Sequence, residues 1–192
     1  MLYPTTSQTV GPYLHIGLSG LNCADLTAGR SDLGAPAVVI EGRVTDGQGN
    51  PVPDGMIEIW QADARGVYQH PDDPSYSATD AARSSFTGFG RVPTEPDGTF
   101  RLTTIKPGRV AGPGGTLQAP HLVVSLFMRG LLKHLSTRMY FPDEAQANEQ
   151  DWILHRVPAA RRATLVAQQS DSGVLRWNVA LQGAGETVFF DI

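Results

Sequence analysis

The side chains of this sequence that could bind a metal ion or move a proton are few and widely spaced. Two tyrosines, Tyr68 and Tyr76, lie in a polar stretch, and His121 begins a strongly apolar run. Tyrosine oxygen and histidine nitrogen are both possible metal donors. A histidine on an apolar strand is, however, more often a hydrogen-bonded core residue than a ligand. The single cysteine, Cys23, can form neither an internal disulfide nor a cysteine-based zinc site, which suits a reducing compartment.

The elements that would position these side chains are mostly β-strands. Apolar residues alternate in short segments separated by turns rich in glycine and proline, which is typical of strands. The predicted strands cover residues 37–46, 56–63, 99–105, 121–128 and 137–141, with a final pair at 174–181 and 186–192. Residues 143–169 predict helix, with Pro158 at the first position of a second helix over 158–168. The pattern predicts an antiparallel β-sandwich of the transthyretin-like type, with an extended N-terminal arm and a short helical insert near the C-terminus.

Two segments show neither a strand nor a helix pattern. Residues 1–36 are rich in Gly, Thr, Ser and Pro, yet residues such as Tyr13 and Ile16 are too apolar for a solvated tail. We expect this N-terminal arm to dock on a partner subunit. Residues 62–90 are expected to form a polar loop, and a structureless stretch of that length is usually functional or packed on a partner. No linker divides the chain, so residues 1–192 are expected to form a single domain.

The composition argues against several classes of protein. The formal net charge is −4, and no basic face of the kind that binds nucleic acid is visible. An anionic balance also disfavours binding to acidic membranes, and no apolar run approaches the length that spans a bilayer. The sequence opens on Met-Leu-Tyr-Pro-Thr-Thr, without a basic or apolar leader, so no secretory signal is expected. We therefore expect a cytoplasmic protein.

Three stretches that cover nearly the whole chain resemble the intradiol ring-cleaving dioxygenases. They are SQTVGPYLHIGL, then VIEGRVTDGQGNPVPDGMIEIWQADARGVYQH running into GFGRVPTEPDGTFRLTTIKPG, and finally APHLVVSLFMRGLLKHLSTRMYFPDEA. The middle stretch alone is only moderately specific, because the pattern strand, Asp-Gly, strand recurs in other transthyretin-like sandwiches. The combination of GPYLHIGL, WQAD with GVY, and MYFPDE is specific.

The resemblance implies a ferric ion held by two tyrosines and two histidines, and this chain lacks half of that set. The first tyrosine position is Tyr68 and the first histidine position is His121. The second tyrosine position, after Lys-Pro-Gly, is Val110, and the second histidine position is Val123. Valine cannot ligate a metal. The resemblance therefore implies that this chain binds no iron and retains only a vestigial site, defined here as Tyr68, Val110, His121 and Val123.

Two further positions that the family uses in catalysis are also replaced. The resemblance puts Gln118 at the position of the family's catalytic arginine, and Arg138 at the position of a glutamine. A guanidinium could satisfy Tyr68 and His121 by hydrogen bonds where the family holds a metal cation. We therefore hypothesise that Arg138 fills the vestigial site.

The resemblance is to the iron-free α-type chain of the two-chain branch that acts on protocatechuate. In that branch a homologous β chain carries the Fe(III), and α–β pairs build higher hetero-oligomers. The enzyme inserts both atoms of O₂ into the ring and gives 3-carboxy-cis,cis-muconate, within the β-ketoadipate route of aromatic hydrocarbon catabolism. By motif, the α chain's contribution to the partner's site falls on Gly11, Pro12 and Arg129, with Arg129 expected near the substrate carboxylate. A surface salt bridge for Arg129 and a simple turn at Gly11 and Pro12 stay open as alternatives.

Two other functions stay open from the sequence. Tyr68 and His121 could hold a metal with a third ligand from the remaining histidines, His15, His70, His134 and His155. Such a site predicts a red-brown isolated chain, because tyrosinate bound to iron gives a charge-transfer colour. The chain could instead be a non-enzymatic binding module on a transthyretin-like sandwich, since a fold alone does not determine function.

Overall fold

The fold is described for residues 3–30, 33–79 and 86–191 of a computed structural model. Within these ranges the chain forms two β-sheets and several short helices. The strands are β1 Ala37–Thr45, β2 Met56–Trp60, β3 Phe89–Pro93, β4 Thr99–Ile105, β5 His121–Phe127, β6 Leu135–Tyr140, β7 Gln168–Gln169, β8 Leu175–Arg176 and β9 Val179–Ala180. The helices are α1 Pro12–Leu18, α2 Ala145–Gln150, α3 Trp152–Arg156 and α4 Ala159–Arg162, with single-turn 3-10 helices at Ser19–Leu21, Pro113–Gly115 and Ala163–Leu165.

Strand pairing gives each sheet its order. The first sheet has the order β4-β1-β8-β7, with β9 also paired to β1, and the second has the order β3-β2-β5-β6. Antiparallel ladders join β1 to β4, and β2 to both β3 and β5. The alternation that predicted these strands lets each sheet bury one face. In β4, for example, Phe100, Leu102 and Thr104 are buried, while Arg101 between them is exposed and Thr103 is partly buried.

The larger hydrophobic core takes side chains from both sheets. Ile40 and Leu102 come from the first sheet, Ile57 and Val124 from the second, and each of them is at most 2% exposed. Two sheets that share one core make a sandwich, so the predicted antiparallel β-sandwich is confirmed. That residues 1–192 form a single domain stays a prediction.

Two predictions about strands are wrong. Residues 62–90 were expected to be loop throughout, yet β3 begins inside that stretch and pairs with β2. Residues 80–85 of the loop lie outside the described residues. The expected C-terminal pair is replaced by β8 and β9, which each pair in parallel with β1, while Phe190 makes an isolated bridge to Ser136. Parallel pairing with a strand far away in the chain leaves no local turn signal in the sequence.

The helical insert is confirmed, but as three short helices instead of two. The side chain of Asp151 caps α3 by accepting hydrogen bonds from the N–H groups of Ile153 and Leu154. Pro158 precedes α4 and is not its first residue, and α4 ends at Arg162. The insert covers a second hydrophobic cluster formed by Ala119, Tyr140, Ala147, Leu154, Val157 and Leu165. None of the helices in the described ranges is long and apolar enough to cross a membrane.

The first half of the N-terminal arm lies at the surface and contains a helix that the sequence did not predict. Helix α1 begins at Pro12, whose fixed φ suits the first position of a helix. Tyr13 and Ile16 on α1 are 83% and 63% exposed. Large apolar side chains at such exposure are the kind of surface that another protein covers.

The second half of the arm packs on the chain's own sheets. Cys23 and Arg91 of β3 exchange two backbone hydrogen bonds of 2.9 and 3.1 Å. The N–H of Leu26 donates to the oxygen of Thr103 in β4, and the Leu26 side chain is fully buried in the main core. This half of the arm therefore packs on the chain itself, and docking of residues 1–36 on a partner subunit stays a prediction.

Shortening Leu26 should destabilise the fold. Leu26→Ala removes a fully buried side chain and leaves a cavity between the arm and the sheets, so the free energy of unfolding should fall by about 2–5 kcal/mol. Leu21→Ala is the matched control, because Leu21 is 62% exposed, and its effect should stay within about 0.5 kcal/mol. Urea denaturation followed by tryptophan fluorescence measures both. Equal effects of the two variants would show that the second half of the arm is not part of the core.

Candidate functional site

One face of the second sheet carries a row of side chains in register. Trp60 of β2 lies opposite Val123 of β5, which lies opposite Arg138 of β6. His121 precedes Val123 by two residues and lies opposite Tyr140. Directly paired side chains, and side chains two residues apart on a strand, point to the same face of a sheet. The register therefore brings His121, Val123 and Arg138 to one face, as the resemblance implies.

Tyr68 is positioned by a turn after β2 that is pressed against the Lys-Pro-Gly loop. The backbone oxygen of Asp63 accepts hydrogen bonds from the N–H groups of Gly66 and Gly108, at 3.0 and 2.9 Å. Gly66 has a φ of +83°, and a Cβ atom there would lie 2.0 Å from the backbone oxygen of Arg109. Only glycine tolerates this contact and this φ, so the sequence Arg-Gly-Val-Tyr fixes the approach of Tyr68 to the loop.

Tyr68 and Val110 line the same cavity of about 380 Å³. The Tyr68 ring stacks on Trp60, with 5.9 Å between ring centroids and 9° between their planes. Burial raises the pKa of the Tyr68 phenol, the positive charge of Arg138 lowers it, and the negative charge of Asp73 raises it, with a net rise. The phenol therefore keeps its proton at neutral pH, and only a bound cation would ionise it.

His121 is a buried, neutral imidazole. Its Nδ1 lies 2.8 Å from the backbone oxygen of Ala119, which can only accept, so Nδ1 carries the proton. Nε2 is buried without a hydrogen-bond partner. Burial lowers the pKa of His121 to about 4, and the nearby charge of Arg138 contributes to this. Nε2 is the nitrogen in the position of a metal ligand. Its lone pair is therefore free, and no hydrogen-bond donor among the described residues contacts it.

Arg138 lies in the vestigial site but does not satisfy both remaining ligands. Its Nη1 donates a hydrogen bond of 2.8 Å to the side-chain oxygen of Gln118, whose Nε2 is held by the oxygen of Ala111. The charge of Arg138 lowers the pKa of both Tyr68 and His121, so the guanidinium is close to them. The hypothesised hydrogen bond to His121 is wrong, because Nδ1 contacts the backbone and Nε2 has no partner. A contact of Arg138 with Tyr68 stays a hypothesis.

Asp151 is a site residue that the sequence analysis missed. It is fully buried, and its Oδ2 accepts a hydrogen bond of 2.8 Å from the N–H of Ala119 while its Oδ1 accepts one of 3.1 Å from the Tyr140 hydroxyl. Oδ1 also caps α3 through Ile153 and Leu154. One side chain thus ties the helical insert to the segment that holds the imidazole. An aspartate before Trp-Ile-Leu is a recognisable helix start, which is the signal that could have found it.

The residues of the vestigial site do not fit a ferric ion. Val110 and Val123 offer only hydrocarbon at two of the four ligand positions. In the described part of the chain, no group of three or more histidine, cysteine, aspartate or glutamate side chains is arranged to hold a metal ion. The site thus contains a guanidinium beside a neutral imidazole and a neutral phenol. Its other two ligand positions are valines, which cannot bind a metal ion.

Of the histidines considered as substitute ligands, His70 lines the same cavity as Tyr68 and Val110, whereas His134 and His155 are not among the residues that line it. His70 is exposed, and its Nδ1 accepts a hydrogen bond of 3.2 Å from a backbone N–H in its own turn. The ring of His134 stacks on Phe127, with 5.3 Å between centroids. His155 is an exposed residue of α3, and the side chain of His15 lies outside the described residues.

A second candidate site brings together Gly11, Pro12 and Arg129, the three residues that the resemblance assigned to a partner's active site. They line one cavity of about 240 Å³ together with Val10, Leu14, Ile16, Asp54 and Met56. We call this cavity the arm pocket. The hydroxyl of Thr9 accepts a hydrogen bond of 2.7 Å from the N–H of Gly130, and this contact fastens the arm beside Arg129. Arg129 also forms an ion pair with Asp54 through its Nε.

The sequence of the chain matches a known family over most of its length. The family is described as Dioxygenase, and the match covers residues 12–183. The chain belongs to this dioxygenase family. Its sandwich fold agrees, because the intradiol ring-cleavage dioxygenase from Tetranychus urticae superposes with a TM-score of 0.59 at 17% identity, over 85% of this chain and 89% of that one. At that identity the likeness concerns the fold alone.

Two relatives within the family that match the whole chain are the same kind of subunit. The alpha chain of protocatechuate 3,4-dioxygenase from Burkholderia cepacia is 43% identical, over 100% of this chain and 98% of that protein. The alpha chain from Pseudomonas putida is 40% identical over the same shares. The beta chain from Burkholderia cepacia is 36% identical over 76% of this chain and 63% of that protein. These relatives confirm the resemblance and count against the non-enzymatic binding module.

Acid should destabilise the protein through His121. The folded state holds the pKa of His121 at about 4, below the 6.5 of an ordinary histidine, so unfolding takes up a proton between these values. The stability contributed by the neutral imidazole is fully present above pH 6.5 and is lost as the pH falls towards 4. From about pH 7 to about pH 4.5 this loss is about 2–3 kcal/mol of unfolding free energy.

Urea denaturation of three proteins at both pH values measures this loss. Asparagine keeps an N–H donor but does not titrate, so His121→Asn should lose less stability on acidification than the unaltered protein. His70→Asn is the matched control: His70 is exposed, and this variant should respond to acid like the unaltered protein. The same acid response in all three proteins would contradict a buried neutral imidazole at position 121.

Proposed function

We propose that this chain is the iron-free α subunit of a protocatechuate 3,4-dioxygenase. The observation that carries the proposal is the replacement of two ligand positions by Val110 and Val123 in a chain that resembles the alpha chains of this enzyme from end to end. A chain with this site cannot hold Fe(III) in the manner of its family, so the ring-cleaving chemistry belongs to a partner. The chain would act in the cytoplasm, in the β-ketoadipate route of aromatic catabolism.

The proposed partner is a homologous β chain that carries the Fe(III). The similarity to a beta chain, at 36% identity, supports a partner built on the same sandwich. The assembled α–β pair would cleave protocatechuate with O₂ to 3-carboxy-cis,cis-muconate, and pairs would associate into a higher hetero-oligomer. The exposed apolar residues of the arm, Tyr13 and Ile16 on α1 and Leu21 after it, support docking of this segment on the β chain.

The arm pocket is the proposed contribution of this chain to the shared active site. Protocatechuate carries a carboxylate at neutral pH, and the Arg129 side chain is 65% exposed, so its charge can attract and orient that group. Gly11 has no side chain and Pro12 has a fixed φ, so together they form a wall that the substrate can approach closely. The ion pair of Arg129 with Asp54 matches the alternative of a surface salt bridge, and the kinetics below separate the two roles.

Iron should be bound by the partner and not by this chain. The chain expressed alone should be colourless and free of iron, because Val110 and Val123 leave its site without a full ligand set. Co-expression with the β chain should give a coloured complex with a single ferric ion per α–β pair and oxygen uptake that depends on protocatechuate. Metal analysis and visible absorption measure both. Stoichiometric ferric iron in the isolated chain would contradict the proposal.

Removing the charge of Arg129 should weaken substrate binding in the assembled enzyme. Arg129→Ala should raise KM for protocatechuate about tenfold, the effect of one charge-assisted hydrogen bond, and should leave kcat nearly unchanged. KM of the unaltered enzyme should rise with ionic strength, and KM of the variant should respond less, because salt screens an exposed charge. Steady-state oxygen uptake measures these constants.

Lys133→Ala is the matched control for Arg129→Ala. Lys133 is a cation on the same β5–β6 connection, and its side chain is 76% exposed. It lies outside the arm pocket. Its removal should therefore change KM little. Unchanged kinetics for Arg129→Ala, or the same change in both variants, would remove Arg129 from the active site.

A further inference from the structure

Asp54 is held in a more rigid setting than the arginine it pairs with. The residue after it, Gly55, donates its N–H to the Thr94 hydroxyl at 2.8 Å and accepts from the Thr94 N–H at 2.9 Å. Thr94 is buried, and β2 begins directly after Gly55. The Asp54 side chain is 25% exposed, against 65% for Arg129. The carboxylate is therefore the more buried member of the ion pair, and the guanidinium is the more exposed one.

The pairing of β2 with β5 brings these two residues together. Met56 lies opposite Phe127 at the end of the ladder. Asp54 precedes Met56 by two residues, and Arg129 follows Phe127 by two residues. Both residues therefore lie just beyond the same end of the ladder. Strand register thus brings the two turns that carry Asp54 and Arg129 next to each other.

The atoms used in the pair leave the guanidinium ready for a second anion. Asp54 engages the Nε atom of Arg129. A guanidinium has five N–H donors in a planar fork, so both terminal nitrogens keep N–H groups that can bind another carboxylate. A free arginine side chain has many rotamers, and a fixed carboxylate on Nε selects among them before the substrate arrives.

We propose that Asp54 is a positioning residue that holds the Arg129 guanidinium towards the substrate carboxylate; this inference rests on the proposed function of Arg129. Asp54 does not touch the substrate. Its effect is to reduce the number of arginine conformations that compete with the binding one. The opposing effect of Asp54 is repulsion between two anions, which the positive charge of Arg129 beside it offsets.

Kinetics of the assembled enzyme with protocatechuate test this role through two substitutions of one residue. Asp54→Ala removes the acceptor for Nε, and KM should rise about threefold to tenfold with kcat nearly unchanged. Asp54→Asn keeps an oxygen acceptor without the charge, and should recover most of the lost affinity. If Asp54 only neutralised Arg129 or repelled the substrate, both variants would lower KM, and that result would overturn the inference.

A double variant separates positioning from general destabilisation. In an Arg129→Ala background, Asp54→Ala should not raise KM further, because the side chain that Asp54 positions is gone. Additive effects would overturn the inference. Asp171→Ala, at an exposed position between β7 and β8, makes the same change in net charge and should leave KM unchanged. Iron content and the size of the assembled complex should be the same for all variants.

The outcomes also distinguish this inference from the proposed function. If Arg129→Ala raises KM and Asp54→Ala does not, the role of Arg129 stands and only the positioning role of Asp54 is wrong. If Arg129→Ala leaves KM unchanged, the substrate role of Arg129 is wrong, and the role of Asp54 falls with it.

Discussion

The antiparallel pairing of β2 with β5 is the constraint on which both candidate sites depend. At one end of this ladder Trp60 lies opposite Val123, and at the other end Met56 lies opposite Phe127. The first end carries Val123 of the vestigial site, and Met56 at the second end lines the arm pocket. A shift of one residue would turn every side chain of β2 to the opposite face and would break both sites together. The register is secured by the apolar side chains that both strands bury in the main core.

The vestigial site shows how a sandwich of this family can exist without its metal. A ferric ion is a large positive charge, and its loss would leave a buried imidazole and a phenol without a partner. Here the imidazole is neutral, the phenol is protonated, and the guanidinium of Arg138 is bound to Gln118. Each group thus takes a charge state that its surroundings tolerate. The Nε2 of His121 is buried without a hydrogen-bond partner.

Local sequence patterns were enough to predict the sandwich and most of its strands, because alternation reports directly which face a strand buries. Motifs carried from the family singled out Gly11, Pro12 and Arg129, and these three residues line one cavity, while their role in a partner's active site stays a prediction. The contacts that were missed are long-range: the parallel pairing of β8 and β9 with β1, and the ion pair between Asp54 and Arg129. Such contacts depend on how the strands are arranged in space, and no periodicity within one segment encodes that.

The second half of the N-terminal arm has a consequence for solubility. β3 is the outer strand of one sheet and β4 is the outer strand of the other. Cys23 occupies hydrogen-bonding groups of Arg91 on β3, and the segment then crosses to Thr103 on β4. Open strand edges are templates for pairing with other chains and hence for aggregation. One short segment of the arm occupies backbone groups on both of these edges, so it should reduce edge-to-edge association of the unassembled chain.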